Sequence, residues 1–199
     1  FHETKNYTSA GEGGLLIVND ARFINRAEII REKGTNRSQF FRGMMDKYSW
    51  VDVGSSYLMN DVSAAYLWGN LERVDEINEN RLANWDKYYD GLKSLEERGL
   101  MQLPTIPNTC VQNAHMFYIK VNDLETRTLL LKYLKQNDIW AVFHYIPLHS
   151  APAGLKFGRF DCDDIYTTFE SEILIRLPMY FGLTKENVKL ICEVINDFF

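Results

Sequence analysis

The chain opens with the segment Phe1-His2-Glu3-Thr4-Lys5-Asn6-Tyr7-Thr8, which is followed after two residues by the turn Gly11-Glu12-Gly13-Gly14. The next four residues, 15 to 18, are all apolar. A glycine-rich turn that leads into an apolar run of this length is typical of a short buried strand. The glycines match neither a dinucleotide-binding nor a Walker motif, and Glu12 would repel a phosphate, so we interpret them as a turn.

Composition places the chain among ordinary globular proteins, with 199 residues, of which 46% are hydrophobic and 25% charged. A net charge of -5 argues against a nucleic-acid backbone as the main partner. No run approaches the roughly 20 apolar residues that span a bilayer, and no secretory-type segment is present. We therefore expect a cytoplasmic protein with no membrane partner. The widely spaced Cys110, Cys162 and Cys192 predict free thiols.

Helical periodicity dominates the first hundred residues. Ala21 to Lys33 is predicted to form an amphipathic helix that ends at Gly34, and residues 35 to 59 are predicted to form a long loop. A second pattern begins at Asn60 or Asp61 and continues to Gly99. It is too long for an ordinary globular helix and lacks strict heptads, so it favours a helix that bridges two domains.

The remaining residues read as a small α+β module that begins after Pro104 and Pro107. Its aromatic and β-branched runs favour strands, and its amphipathic runs favour helices. The predicted elements are a strand from His115 to Val121, a helix from Leu124 to Asn137, a strand from Trp140 to Ile146 and a helix from Lys185 to Phe199.

The opening segment and its glycine turn together resemble the lysine segment of the DegT/StrS-type nucleotide-sugar aminotransferases. In that family a Ser-Phe-His-x-x-Lys-Asn stretch precedes a Gly-Glu-Gly-Gly turn. The resemblance implies that Lys5 binds pyridoxal 5'-phosphate (PLP) and then moves a proton between amino donor and cofactor, and a primary amine suits both tasks. It also implies that His2 lies near the cofactor. The alternatives are an exposed lysine and a local hydrogen-bond partner.

Three further segments resemble family motifs, although the first has Ser56 where the family usually has asparagine and lacks the arginine that follows. Gly54 to Asp61 occupies the place of a Gly-Tyr-Asn-Tyr-Arg loop that reaches the PLP phosphate of the other subunit, which implies a phosphate contact for Ser56. The resemblance of Phe143 to His149 to a Tyr-Pro-Pro-Leu-His segment implies that Tyr145 and His149 contact the sugar nucleotide. Arg37 lies in a basic loop that implies a contact with the substrate's diphosphate. An N-cap, an aromatic strand end and a solvated charged face are the respective alternatives, and no metal site is predicted.

The fold implied is a fragment of the α/β aspartate-aminotransferase type (PLP fold type I). Residues 1–60 correspond to the C-terminal part of the PLP-binding large domain, 61–99 to a long interdomain helix and 100–199 to a small α+β C-terminal domain. A chain that starts on an active-site segment, at Phe1 and not at Met, is expected to be a piece of a longer protein and to hold PLP poorly alone.

The activity implied is transamination of a dTDP-4-keto-6-deoxyhexose with glutamate as amino donor. It would serve the biosynthesis of surface polysaccharide such as lipopolysaccharide, and the protein is expected to be a homodimer. A non-catalytic remnant that serves as a dimerisation or binding module is the alternative. A sugar dehydratase of the same family is disfavoured, because those enzymes resemble this segment but carry histidine at the position of Lys5.

Overall fold

A computed structural model describes residues 1–199, which divide into two units, Phe1–Val74 and Asp75–Phe199. The first unit contains a 3-10 turn at Ala21–Phe23 and the helices α1 (Ile24–Arg31), α2 (Arg37–Phe41) and α3 (Asp61–Leu71). The elements that follow are α4 (Val74–Glu97), β1 (Met101–Gln102), β2 (Phe117–Val121), α5 (Leu124–Gln136), β3 (Val142–Phe143), α6 (Pro152–Phe157), α7 (Thr167–Ile173), β4 (Leu174–Leu177) and α8 (Lys185–Phe198).

The predicted helix over residues 21 to 33 is confirmed for residues 21 to 31, as the 3-10 turn followed by α1, but its predicted amphipathic character is not, because neither element has a buried residue. Helix α1 itself ends at Arg31, and Gly34 lies in the turn that follows, where its φ of +75° is in the left-handed region and its N–H donates to the carbonyl of Ile29 at 2.8 Å. The predicted loop over 35 to 59 is in part wrong, since the short helix α2 lies within it.

The predicted buried strand at residues 15 to 18 is wrong. Leu15, Leu16 and Ile17 are 75%, 74% and 72% exposed and belong to no strand. A strand needs a neighbour that pairs with its N–H and C=O groups, and all four strands of the chain lie in the second unit. Apolar character alone therefore predicted the wrong environment.

The single long helix predicted from residue 60 to residue 99 is two helices, α3 and α4, separated by Glu72 and Arg73. The N–H of Arg73 donates to the carbonyl of Asn70 only three residues back, at 3.1 Å, as in a tightened helix end. Asn60 is the residue that caps α3, since its Oδ1 accepts from the N–H of Ser63 at 2.9 Å. The division into 1–60, 61–99 and 100–199 stays a prediction.

An antiparallel sheet with the strand order β1-β2-β4-β3 forms the centre of the second unit. Strand β2 confirms the strand predicted from His115, although it begins at Phe117. The strand predicted from Trp140 to Ile146 is only Val142–Phe143. Strand β4 was not predicted, although its buried residues Ile175 and Leu177 alternate with partly buried ones in the pattern of a half-buried strand.

Helix α4 packs on the central strands through aromatic side chains. The ring of Phe117 lies 5.3 Å from that of Trp85 and 5.0 Å from that of Tyr88. Helices α5 and α8 confirm the two helices predicted after residue 123, and each buries one face in the same core. The predicted free thiols are confirmed, and burial raises the pKa of Cys192 to about 12, so this thiol stays protonated.

Replacing Leu92 by alanine is expected to lower the free energy of unfolding by about 2 to 5 kcal/mol, because the side chain is fully buried in the α4 core. The matched control is Leu190→Ala on α8, where the side chain is 53% exposed, and its expected loss is below about 0.5 kcal/mol. Urea unfolding followed by circular dichroism measures both. Equal losses in the two variants would contradict this packing.

Candidate active site

Lys5 lies on a short closed loop in the first unit. Its backbone N–H donates to the carbonyl of His2 at 3.0 Å, and the loop is closed where the N–H and Oγ of Ser9 both donate to the carbonyl of Phe1, at 3.0 and 2.9 Å. Ser9 is fully buried, whereas the side chain of Lys5 is exposed. The Lys5 ammonium makes no hydrogen bond or ion pair within the chain, so the amine is available to a reactant.

His2 lies on the same turn and is engaged locally. Its Nδ1 accepts from the N–H of Thr4 at 3.2 Å and is 3.0 Å from that residue's Oγ1. Because Nδ1 accepts, the neutral ring carries its proton on Nε2, which lies 3.5 Å from the carboxylate of Glu12. These contacts fix the ring orientation beside Lys5. The cofactor contact of His2 stays a prediction.

The segment that carries Ser56 runs against the end of α1. The N–H of Lys33 donates to the carbonyl of Ser55 at 2.9 Å, and Ser56 forms an isolated antiparallel bridge with Glu32. A Cβ on Gly54 would lie 2.2 Å from the backbone nitrogen of Gly34, so only glycine allows this approach. The exposed side chain of Ser56 therefore sits on a backbone that is well fixed.

Gly13 connects the Lys5 loop to the Ser56 segment. A Cβ at this position would lie 2.4 Å from Cε of Met59 and 2.8 Å from Oγ of Ser9. Gly13 thus leaves room for the side chains of Met59 and Ser9, whereas the sequence predicted only a turn. This contact brings the predicted cofactor residues onto adjoining parts of one unit.

Arg37 begins α2 and is exposed, with its guanidinium carbon 5.0 Å from the centre of the Phe41 ring. It has no acidic partner within the chain. A guanidinium that is not ion-paired can bind a diphosphate without first breaking an ion pair.

Tyr145 and His149 lie in the second unit, on the segment that follows the edge strand β3. Tyr145 is 70% exposed and has a φ of +44°, which is uncommon for a residue other than glycine. The guanidinium carbon of Arg176 lies 5.7 Å from the centre of its ring. His149 is half-buried, with Nε2 2.9 Å from Oδ2 of Asp164.

A cavity of about 360 Å³ adjoins this segment. Its walls are largely apolar, with a few polar groups from α5 and α7, which is the general character of small-molecule sites. The Nη1 of Arg127 donates to the carbonyl of Ser171 at 2.9 Å, while its buried Nε has no partner. The residues that line the cavity include Arg127, Phe143, Tyr145, Ser150, Thr168 and Glu172.

His144, next to the cavity residue Phe143, has a buried Nδ1 without a partner. Burial lowers the pKa of His144 below its usual value, and the positive charge of Arg176 lowers it further, so the ring is neutral at pH 7. The sequence did not predict the proximity of His144 to Arg176, and it did not single out Arg127 or Asp164. Arg127 lies within an amphipathic helix and Asp164 within an acidic run, and neither pattern marks one side chain as functional.

The donor groups of the first unit fit PLP. The Lys5 amine can condense with an aldehyde, and the hydroxyl of Ser56 can donate to a phosphate oxygen. Both side chains are exposed, and their backbones are held by the contacts described above. The chain has no cluster of three or more histidine, cysteine or acidic side chains placed to hold a metal ion. None of its helices is long and apolar enough to cross a membrane.

Comparison with known families gives one match over nearly the whole chain. Residues 1–196 match the family model described as the DegT/DnrJ/EryC1/StrS aminotransferase family. An uncharacterized protein of Methanocaldococcus jannaschii is 28% identical to this chain, over 98% of the chain and 51% of its own length. The dTDP-3-amino-3,6-dideoxy-alpha-D-galactopyranose transaminase of Aneurinibacillus thermoaerophilus is 25% identical to this chain, over 94% of the chain and 47% of its own length. The chain thus spans about half the length of the curated relatives it matches.

Among solved structures, a sugar aminotransferase of Streptococcus pneumoniae superposes with a TM-score of 0.77. The match covers the whole chain and 51% of that protein, at 22% identity. This likeness confirms the predicted fold, a fragment of the PLP fold type I architecture. The same protein has been solved in PLP and pyridoxamine phosphate (PMP) forms, so the cofactor prediction is confirmed for the family.

Gly34→Ala is expected to open the contact that carries Ser56. The new Cβ would lie 1.7 Å from the carbonyl oxygen of Asp52, in addition to the cost of a left-handed φ. The matched control is Gly43→Ala, which has a φ of +72° and nothing within 4 Å of the new Cβ, so it carries only the cost of about 1 to 2 kcal/mol for an L-residue in that conformation.

Hydrogen–deuterium exchange of the backbone N–H groups of Lys33 and Ser55 measures the effect, since both donate across this contact. We expect both amides to exchange at least tenfold faster in Gly34→Ala than in Gly43→Ala. Equal exchange rates in the two variants would show that the close approach of Gly34 and Asp52 is absent.

Proposed function

Because the chain belongs to the DegT/DnrJ/EryC1/StrS aminotransferase family, we propose that it is the lysine-bearing part of a PLP-dependent nucleotide-sugar aminotransferase. The observation that carries the proposal is the exposed, unpaired amine of Lys5 on a loop closed by the buried Ser9. Since the chain spans about half the length of its curated relatives, we also propose that it works within a polypeptide of their length.

Lys5 has two roles in this proposal. Its amine holds the cofactor covalently, and the same amine, once released by the amino donor, takes and returns the proton that moves during amino transfer. The bound cofactor supplies an electron sink that makes this proton acidic. Lys5 suits the second role because its amine is exposed and no carboxylate of the chain pairs with it.

The other first-unit residues position the reactants. The ring of His2, held by Thr4 and near Glu12, is proposed to contact the cofactor beside Lys5. The hydroxyl of Ser56 is proposed to donate to the cofactor phosphate of a partner subunit in a homodimer. The unpaired guanidinium of Arg37 is proposed to bind the diphosphate of the substrate.

The proposed substrate is a dTDP-4-keto-6-deoxyhexose and the proposed donor is glutamate, with a product of the dTDP-4-amino-4,6-dideoxygalactose type for surface polysaccharide. Tyr145 and His149 are proposed to contact the sugar nucleotide. The relative from Aneurinibacillus thermoaerophilus is named for a 3-amino sugar, so the corresponding 3-keto sugar is the competitor to test. The two sugars differ only in the position of the carbonyl group that accepts nitrogen.

A second candidate function is a non-catalytic association module. Large apolar side chains are exposed on the first unit, including Trp50 at 76%, Trp68 at 66% and Val62 at 81%. Large apolar side chains that are exposed to this extent are candidates for burial by another protein segment. Both candidates can use this surface, and only the aminotransferase also needs Lys5.

Lys5→Ala is expected to abolish covalent binding of PLP, because this variant lacks the proposed attachment amine. The protein is incubated with PLP, reduced with borohydride, digested and analysed by mass spectrometry. A pyridoxyl group should be found on the peptide that contains Lys5, and it should persist in the matched control Lys47→Ala, an exposed lysine of the same unit. We expect a stronger signal from the natural polypeptide that contains this chain than from residues 1–199.

The reaction itself is tested on the same natural polypeptide with glutamate and each keto sugar in turn. The 4-keto sugar should be aminated at least tenfold faster than the 3-keto sugar, and Lys5→Ala should aminate neither. A pyridoxyl group on another lysine, or on none, would leave the association module as the remaining candidate.

A further inference from the structure

His149 is held by a carboxylate that the sequence did not single out. Its Nε2 lies 2.9 Å from Oδ2 of Asp164, and the two side chains are only 19% and 23% exposed. The ring of Phe160 stacks on the imidazole with a centroid distance of 4.3 Å and an interplanar angle of 29°. One edge and one face of the imidazole are therefore occupied by the same 160–164 segment.

Asp164 is itself fixed at the start of α7. Its Oδ1 accepts from the N–H of Thr168 at 3.2 Å, and its Oδ2 accepts from the hydroxyl of the same residue. Tyr166 at the N-cap position of α7 makes no side-chain cap, so Asp164 satisfies one of the helix's first N–H groups. These bonds hold the carboxylate charged: the Thr168 hydroxyl lowers the pKa of Asp164 most, and the Thr168 N–H and His149 lower it further.

The two ring nitrogens of His149 consequently have different hydrogen-bonding roles, one as donor and one as acceptor. An ionised carboxylate can only accept, so the neutral imidazole must carry its proton on Nε2 and present Nδ1 as an acceptor. Nδ1 has no partner within the chain and is not among its buried unpaired atoms. Ser150, which follows His149, and Thr168, which binds Asp164, both line the 360 Å³ cavity.

We propose that Asp164 is a positioning residue that fixes His149 in the Nε2–H form, so that Nδ1 accepts a hydrogen bond from a sugar hydroxyl of the substrate. The proposal rests on the proposed function, in which His149 contacts the sugar nucleotide. It adds Asp164, which no sequence motif assigns, and it states the chemistry of the group that His149 recognises: a hydrogen-bond donor.

The long-range ¹H–¹⁵N correlation spectrum of the unmodified chain near pH 8 tests whether His149 is in the Nε2–H form. The spectrum distinguishes the two neutral forms of an imidazole, and the spectrum of His149→Gln identifies the signals of His149 among those of four histidines. We expect the Nε2–H form. The Nδ1–H form would overturn the proposal.

Asp164→Asn separates positioning from a purely structural role. An amide can still accept from the N–H of Thr168 through its oxygen, but its NH₂ group then faces His149 and donates to Nε2. His149 should therefore switch to the Nδ1–H form while circular dichroism stays unchanged. The matched control, Asp161→Asn, changes an exposed aspartate on the same segment that pairs with Arg159, and it should keep the Nε2–H form.

The hydrogen bond from a sugar hydroxyl to Nδ1 of His149 is tested by adding dTDP-glucose, a stable sugar nucleotide, to the same samples and to the natural polypeptide. The Nδ1 signal of His149 should shift in the unmodified protein and in Asp161→Asn, and not in Asp164→Asn. In turnover assays Asp164→Asn should raise the KM for the keto sugar about tenfold, which corresponds to about 1.4 kcal/mol, and leave pyridoxyl attachment at Lys5 intact.

These experiments distinguish a failure of the Asp164 proposal from a failure of the proposed function. A tautomer switch without any change in sugar-nucleotide binding would make Asp164 a structural anchor and overturn the proposal. Loss of pyridoxyl attachment at Lys5 in the unmodified protein would instead refute the proposed function. The tautomer measurement on residues 1–199 would still report whether Asp164 orients the ring.

Discussion

Arg81 of α4 is a buried charge, 5% exposed, whose guanidinium donates to backbone carbonyls at the ends of two strands. Nε binds the carbonyl of Ala114 at 3.0 Å, just before β2, and Nη2 binds that of Met179 at 3.2 Å, just after β4. Burying an ion without partners costs several kcal/mol. Any arrangement that moves these strand ends away from α4 would leave the buried guanidinium without these partners. This constraint fixes the positions of β2 and β4 relative to α4 in the second unit.

Two more side chains of α4 extend the same pattern along the helix. Nδ2 of Asn84 donates to the carbonyl of Leu183 at 2.8 Å, and the hydroxyl of Tyr88 donates to that of Pro178 at 2.9 Å. The residues after β4 are thereby bound to α4 over two helical turns. Because β3 pairs only with β4, the position of this edge strand and of the segment that follows it depends on the same hydrogen bonds.

The first unit depends on a different constraint, the close approach of backbones. Gly34 and Gly54 each occupy a position where a Cβ would lie within about 2.5 Å of the backbone of another segment. These contacts fix the loop that carries Ser56, and the two hydrogen bonds of Ser9 to the carbonyl of Phe1 close the loop that carries Lys5, without a large apolar core. The side chains of Lys5 and Ser56 are exposed on this backbone, as their proposed contacts with a covalently held cofactor require.

The sequence by itself determined the elements whose signal is local. Helices α5 and α8 follow from their apolar periodicity, and the turn after α1 follows from Gly34, because glycine adopts a left-handed conformation at little cost. The family was recognised from the contiguous residues around Lys5, since a motif of that density needs no tertiary contact to be read. The free thiols followed from the spacing of the cysteines.

Only the tertiary structure decided the features that depend on distant partners. The apolar run at Leu15 is exposed because no strand of the first unit pairs with it, and the helical pattern after Asn60 breaks at Glu72 although its periodicity continues. The pairing of His149 with Asp164 joins residues fifteen positions apart, in an acidic run where no local rule distinguishes one aspartate from its neighbours. Hydrogen bonds between distant side chains carry no periodicity, so their identity is fixed only when the backbone brings them together.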